Sequence, residues 1–369
     1  MNAEPALLDQ TRKVNFFEGT LLGVTLVVAT KFCTLPSVLA AAANSKAVWV
    51  AALLTLAELV TAFFALCVAK RGGLSALTLP RGVKMGVCGF FVFFFALKLT
   101  AFSREVATYY ALSLFENAPA LPVMALLLIA CAVVARKGFV AVGRMAEAYV
   151  WLFVFVFLFV VIFTRSEGDL FNALGMFNPD FSGFGKGVFH GAGWFGDSAV
   201  LCFLDLRKAP EAPKTKRRMA FAAALFCLLM ITVFYAVFIS AYGDAAQMTD
   251  YAFIKLSAFK ANTDELGSAD WPVIILWAIV TTSYLTLVLL SGKESLRGLT
   301  NKDGKVLPYL LLCVAAIAFS AFFLDEEGDY QNYMTKVASV FSILAVALTV
   351  ALGVYSLAKE KGGKSETRD

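Results

Sequence analysis

Ten long apolar segments follow one another through the sequence, and they decide what the chain can fold into. About 20 apolar residues cross the hydrocarbon core of a bilayer, where every backbone N–H and C=O group must be bonded inside the protein. Continuous apolar runs, without strand-like alternation, satisfy this as helices. We therefore predict an all-α integral membrane protein with about ten transmembrane helices. Spans 1 to 10, as we name these segments, cover residues 16–43, 47–69, 84–115, 119–136, 145–165, 184–206, 218–241, 271–291, 307–324 and 333–358.

Composition excludes several classes of protein. With 60% hydrophobic and 16% charged residues, the chain is too apolar for a soluble domain. The basic residues behind the net charge of +5 lie mainly in short loops between spans. Membrane topology explains them there, so the charge does not indicate binding to nucleic acid. The seven cysteines have no metal-site spacing and only one histidine beside them, so we expect free thiols. No nucleophile with a base and no phosphate loop is present, and we expect neither enzymatic activity nor a cofactor.

The charges of the loops predict the orientation of the chain. Loops after spans 2, 4, 6 and 8 carry an excess of Lys and Arg, and the intervening loops, apart from the short first one, carry an excess of Asp and Glu. Because Lys and Arg accumulate on the cytoplasmic side, both termini are predicted to be cytoplasmic. The predicted organisation is a cytoplasmic N-terminus (1–15), a transmembrane domain (16–358) and a cytoplasmic tail (359–369).

Two spans contain residues that interrupt a helix. Span 6 holds Gly191, Gly193 and Gly196 in its middle, and span 1 holds Lys31 and Pro36. Irregular backbone at membrane depth is tolerated only where it is buried in protein or lines a cavity. Discontinuous helices at matching positions of two chain halves indicate the substrate site of a transporter. We therefore predict a small-molecule site between spans 1 and 6.

Ionisable residues at membrane depth are costly and are functional candidates by default. Four are predicted near the midplane: Lys31, Glu58 in span 2, Lys98 in span 3, and Asp197 just after the break in span 6. The alternative is that they form structural ion pairs that fix the register of the helices. Asp197 has a second alternative, which is to cap the N–H groups of the inner half of span 6.

Other polar and aromatic residues complete the predicted site. Trp194 supplies an aromatic wall for a substrate, or only packs against a neighbouring helix. Span 8 has hydroxyl groups near the midplane that either complete a cation site with carbonyls of span 1 or bond their own helix. The substrate-binding candidates are Thr30, Lys31, Thr34, Gly191, Gly193, Trp194, Gly196 and Asp197. The candidates for ion coupling or ion pairing are Lys31, Glu58, Lys98, Glu105, Asp197, Thr281, Thr282 and Ser283.

The longest predicted outer loop, residues 242–270, includes a segment with helical apolar spacing at 251–259. This segment is predicted to be a packing helix, with a lid over the site as the alternative.

Several stretches of the chain carry a family resemblance. Residues 135–147 include Arg144 and Glu147 at the start of span 5, and residues 195–204 begin Phe-Gly-Asp. Phe102 and Glu105 precede Pro119, and Leu35-Pro36 ends the break of span 1. Together these stretches resemble the endospore germination permease family, the B subunits of spore germinant receptors, within the amino acid/polyamine/organocation transporter superfamily.

The resemblance implies an inverted repeat of two five-helix halves, residues 16–165 and 184–358, with a site between the broken spans. It implies a permease for an amino acid or a similar small zwitterion or amine in the cell membrane or spore inner membrane, with membrane lipid as its surroundings. The alternative is a ligand-sensing receptor subunit that signals to partner subunits without net transport. The family usually has small residues at the break of span 1, where this chain has Ala29 and Lys31.

Lys31 leads to a specific expectation. A lysine at the bilayer centre costs about 2.5 to 3.5 kcal/mol on insertion scales, so a nearby group must offset the cost. The candidates are Asp197, Glu58, the hydroxyl groups of span 8 and the carboxylate of a substrate. If Lys31 serves as a built-in cation in place of sodium, ligand binding is expected to be independent of sodium.

Overall fold

The computed structural model is helical throughout the residues that it describes. These residues are 14–113, 118–165, 172, 174–178, 181–207, 212–258, 270–300, 306–324 and 327–365, and they contain no strand. Six helices in this part of the chain are long and apolar enough to cross a membrane, and further apolar helices are shorter. The predicted fold class is confirmed.

Spans 2 to 5 and 7 to 9 each contain one continuous helix. The helices of spans 3 and 8 are among the longest, because both continue past the apolar core into polar sequence. The bounds, in chain order, are Ala47–Ala69, Arg81–Ser113, Ala120–Ala135, Gly138–Arg165, Pro213–Tyr242, Asp270–Thr300 and Leu307–Phe323.

Span 1 is broken where the sequence predicts, and its inner and outer parts are named by the orientation predicted from the loop charges. Its inner helix, Phe16–Val28, begins with a reciprocal cap in which the Asn15 side chain accepts from the Glu18 N–H group and the Glu18 carboxylate accepts from the Asn15 N–H group. The chain is then unwound until the outer helix, Leu35–Ala43, begins. Pro36 lies in the first turn of that helix, where its missing N–H group removes no helical hydrogen bond.

Span 6 is broken as well, but its two halves differ. The outer half is an α-helix, Phe184–Gly191, followed by a 3₁₀ turn, Ala192–Trp194, and an extended Phe195. The inner half, Asp197–Phe203, is a 3₁₀ helix. Because 3₁₀ runs longer than about four residues are uncommon, this inner half is an unusual element held by its neighbours.

Two positions in the break of span 6 require glycine, each for a different structural reason. Gly196 has φ +87°, a left-handed conformation that side chains rarely adopt. Gly193 lies so close to span 10 that a Cβ atom there would collide with the carbonyl oxygen of Met334. Met334 belongs to a π-helical segment, Tyr333–Ala338, between the helices Glu327–Asn332 and Ser339–Ser365 of span 10. The irregular part of span 10 therefore packs against the break of span 6.

The helices pack in two groups. Spans 3, 4, 8 and 9 contact one another, and spans 1 and 2 contact each other and both spans 6 and 7. Span 5 contacts spans 1, 7 and 8, and span 10 makes the equivalent contacts with spans 6, 2 and 3. This exchange of partners is what two five-helix repeats would give. The inverted orientation of the repeats stays a prediction, as do the predicted domain bounds.

The outer segment after span 7 contacts the break of span 1. Ala252 begins a short helix that ends at Ala258. The Ala252 and Phe253 N–H groups donate to the Cys33 and Phe32 carbonyl oxygens, at 3.1 and 2.9 Å. The described part of the segment is therefore a packing helix that satisfies carbonyl groups left open by the break. Residues 259–269 lie outside the described residues.

Candidate functional site

Asp197 lies buried between two lysines from different spans. Its Oδ2 atom is 2.6 Å from the Lys31 Nζ atom, and its Oδ1 atom is 2.9 Å from the Lys98 Nζ atom. All three side chains are at most 3% exposed. The Lys31–Asp197 pair joins the break of span 1 directly to the break of span 6.

The Lys31 ammonium group also donates hydrogen bonds to acceptors in and next to its own break. Its Nζ atom donates to the Thr30 Oγ1 atom at 2.9 Å and to the Leu26 carbonyl oxygen at 3.4 Å. It lies 5.0 Å from the centre of the Phe195 ring. The carbonyl group of Lys31 itself accepts from the Tyr235 hydroxyl of span 7 at 3.0 Å. The partners of the ammonium group, together with Asp197, offset the cost of burying the lysine.

Lys98 binds the carbonyl groups of the other break. Its Nζ atom donates to the Gly193 and Phe195 carbonyl oxygens at 2.7 and 2.8 Å. These carbonyl groups are exposed by the unwinding of span 6, and in many transporters such groups coordinate a cation. In this chain an ammonium group from span 3 has that position.

Glu58 binds the N–H groups of the same break. Its two carboxylate oxygens accept from the Gly196 N–H group and, at 2.6 Å, from the Ser198 N–H group. The proposed capping role of Asp197 is therefore wrong, because the inner 3₁₀ helix has no side-chain cap from its own sequence and Glu58 of span 2 binds its free N–H groups. The cluster of Lys31, Lys98, Asp197 and Glu58, which we call the central cluster, contains two cationic and two anionic side chains.

The hydroxyl groups of Thr281 and Ser283 in span 8 have partners in their own helix, and the alternative of a cation site stays a prediction. Thr281 and Ser283 donate to the carbonyl oxygens of Trp277 and Ile279 in their own helix, each at 2.8 Å. Thr282 is only half-buried, and its carbonyl oxygen accepts from a hydroxyl one turn later. The alternative, hydroxyl groups that bond their own helix, describes Thr281 and Ser283.

Besides the Asp197 Oδ1 atom, which Lys98 contacts, two buried polar atoms near the central cluster have no hydrogen-bond partner within the described part of the chain. They are the Trp194 Nε1 atom and the Ser198 Oγ atom, which lie on either side of Asp197 in the sequence of span 6. Buried polar groups normally have partners, so these atoms are candidates for contact with a ligand.

A second polar cluster lies at the outer end of the break in span 1. The Glu105 carboxylate accepts from the Thr34 N–H group at 3.1 Å, from the Thr34 hydroxyl, and from the Tyr330 hydroxyl at 2.9 Å. Next to it, the Ser37 hydroxyl donates to Asp250 at 2.6 Å. Thr34 and Glu105 are therefore together, but in a separate cluster from Lys31.

The sequence does not indicate Tyr235, Tyr330 or the contact of Glu58 with free N–H groups. A tyrosine in an apolar helix gives no signal of the carbonyl group or carboxylate that its hydroxyl contacts. Glu58 was selected by its depth in span 2, but its partners depend on how span 2 packs against span 6.

Comparison with known proteins supports the same conclusion about the fold. Solved structures of a manganese transporter from Eremococcus coleocola are similar to 92% of this chain and 78% of their own, with 13% identity and a TM-score of 0.60 for one variant. The same transporter in complex with an aromatic bis-isothiourea substituted compound gives 14% identity, the same coverage and a TM-score of 0.58. No curated protein matches the chain.

The sequence itself identifies the family. The profile of a family described as spore germination protein matches residues 13–330, which include nine of the ten spans and both breaks. The family resemblance seen in the sequence is confirmed. The prediction of a multi-pass membrane protein with a transporter fold is confirmed as well. This chain belongs to the spore germination protein family.

Proposed function

We propose that this protein is a permease for an amino acid or a similar small zwitterion or amine, which binds between the breaks of spans 1 and 6. The observation that carries the proposal is the Lys31–Asp197 ion pair, 2.6 Å long and fully buried, which joins the two breaks. A discontinuous helix is where a transporter of this fold binds its substrate.

The charges of the central cluster favour a zwitterion. Asp197 is the partner of both lysines, so an incoming ammonium group that takes one of its oxygens releases a lysine. A buried charge without a partner is costly, and the carboxylate of the same ligand compensates the released lysine. A zwitterion therefore exchanges partners with the cluster without leaving a buried charge unpaired.

The two lysines also bear on ion coupling. Lys98 binds the carbonyl groups of the span 6 break, and Lys31 binds a carbonyl group and a hydroxyl of span 1. A sodium ion would have to displace these ammonium groups from oxygen ligands that they already hold. We therefore propose that ligand binding is independent of sodium.

Ligand binding by the purified protein tests the proposal. A panel of amino acids and amines is screened by thermal stabilisation, in sodium and in choline buffer, with the wild type, Lys31→Met and Asp197→Asn. The matched control is Asp205→Asn, which removes the carboxylate of an exposed pair with Arg207 at 2.8 Å in the same region of the chain. We expect stabilisation in both buffers, lost in the two cluster variants and kept in the control. Strict sodium dependence, or normal binding by Asp197→Asn, would contradict it.

Transport by the same protein separates the permease from the alternative, a germinant-sensing receptor subunit. Counterflow of a labelled ligand into proteoliposomes is expected for a permease. Binding without counterflow would support the receptor, because both functions need the same pocket but only one needs the ligand to cross.

A further inference from the structure

A large cleft lies between spans 1, 2 and 7, apart from the central cluster. Its volume is about 1240 Å³, and pockets of about 300 to 1,000 Å³ already hold drug-sized ligands. Small side chains on all three spans create the space. They are Gly19, Gly23, Ala62, Ala220, Ala223 and Ala224.

Basic side chains line one end of this cleft. Lys70 follows the helix of span 2, and Lys214, Lys216, Arg217 and Arg218 lie in the first two turns of the helix of span 7. The Nζ atoms of Lys70 and Lys216 are each 5.8 Å from the centre of the Phe16 ring, which belongs to span 1. Cations from two spans therefore surround the first turn of a third.

The position of these cations favours binding of an anion. The positive end of a helix dipole is at its N-terminus, so cations there are unfavourable unless an anion neutralises them. The helix of span 7 begins at Pro213 with cations and no acidic residue in its first turn. Among the described residues, no carboxylate forms an ion pair with Lys70, Lys214, Arg217 or Arg218.

We propose that the cleft binds one anionic phospholipid. The acyl chains lie along the small residues of spans 1, 2 and 7, and the phosphate lies among Lys70, Arg217 and Arg218. The cleft is lined by apolar side chains beyond its basic end, which suits hydrocarbon and not a free anion. The basic end favours a net negative head group over a zwitterionic one, as basic pockets between transmembrane helices do.

This site bears on the central cluster through span 1. The residues of span 1 that line the cleft, from Phe16 to Val27, belong to the inner helix that ends at the break before Lys31. A lipid in the cleft would hold this helix against spans 2 and 7.

Lipid binding to the purified full chain, measured by native mass spectrometry and by thermal stabilisation, tests the proposal. The probes are dioleoyl phosphatidylglycerol, dioleoyl phosphatidylcholine and inorganic phosphate. The charge variant is Lys70→Gln/Arg217→Gln/Arg218→Gln. Its matched control, Arg81→Gln/Arg136→Gln/Lys137→Gln, removes three exposed cations that lie elsewhere.

A second pair of variants tests the apolar part of the cleft. Ala223→Phe places a ring inside the cleft, and Ala222→Phe places the same ring on an exposed neighbour outside it. Both are compared at equal folded fraction by size-exclusion chromatography.

We expect phosphatidylglycerol to bind and stabilise the wild type, and phosphatidylcholine to bind more weakly. At about 1 kcal/mol for each basic residue near the head group, roughly a fivefold effect apiece, the charge variant should lose about 100-fold in affinity. Ala223→Phe should also weaken binding, and neither control should. Equal binding of the two lipids, equal loss in the control triple, or displacement of the lipid by inorganic phosphate would each overturn the proposal.

Discussion

The balance of charge in the central cluster makes a quantitative prediction about stability. Lys31→Met keeps an unbranched side chain of similar length but removes one of the two cations that contact Asp197. Breaking a buried ion pair by removing one partner costs about 3 to 5 kcal/mol. Lys98 remains 2.9 Å from the carboxylate, so we expect the lower end, about 3 kcal/mol.

Asp197→Asn should cost more, because two buried ammonium groups then lose their shared carboxylate. We expect about 5 kcal/mol for this variant. In the double variant the remaining cluster is one lysine, Lys98, and one carboxylate, Glu58, and the charge is balanced again. The double variant should therefore cost about the same as Asp197→Asn alone, which is about 3 kcal/mol less than the sum of the single effects.

Thermal unfolding in detergent, followed for the four proteins of the cycle, measures this coupling. Each kcal/mol corresponds to a shift of about 2 to 4 °C in Tm for domains of 150 to 250 residues and to less in longer chains. The exposed pair Asp205–Arg207 is the control cycle, with an expected coupling of about 1 kcal/mol or less. Additive effects of Lys31→Met and Asp197→Asn would refute the reasoning, because they would mean that the two charges do not depend on each other.

Three further predictions concern single positions. Glu58→Gln should destabilise by about 1 to 3 kcal/mol, because the amide keeps an oxygen for only one of the Gly196 and Ser198 N–H groups and leaves the other without an acceptor; unchanged thermal unfolding would contradict this. Tyr330→Phe should cost about 0.5 to 1.5 kcal/mol through its lost hydrogen bond, again by thermal unfolding. In a background without native cysteines, a cysteine at Asp244 should react with an impermeant thiol reagent in intact cells, and one at Lys214 only after permeabilisation. Reaction of the cysteine at Lys214 in intact cells would contradict the predicted orientation.

The sequence predicts the bounds of a helix best where the apolar segment and the helix end at the same residue. Span 2 was predicted as 47–69, and its helix is Ala47–Ala69. Span 7 was predicted to begin at 218, but its helix begins at Pro213, because a helix continues into charged sequence that hydropathy does not count as membrane. Span 10 likewise continues to Ser365, past the predicted end at 358. Hydropathy locates the bilayer and not the ends of helices in water.

Within the site, the sequence predicted which residues are deep but not their partners. Lys31 and Asp197 were selected because each lies beside a break. Lys98 was selected only by depth, and nothing in span 3 indicates that its ammonium group reaches carbonyl groups of span 6. Such contacts depend on the rotation of each helix about its axis, which packing determines. The role of these residues in binding a substrate stays a prediction.

The way in which the two breaks are stabilised restricts how a ligand would bind in the proposed site. Lys98 and Glu58 bind the open carbonyl and N–H groups of span 6, and the segment after Ala252 binds carbonyl groups of span 1. A buried polar group without a partner costs several kcal/mol, so these contacts keep both breaks stable with the protein's own groups. In the proposed function, a ligand then exchanges partners with the central cluster, and its net binding free energy is the difference between new and old contacts. That difference is most favourable for a molecule that carries both charges, because each lysine and each carboxylate that it displaces finds a partner on the ligand itself.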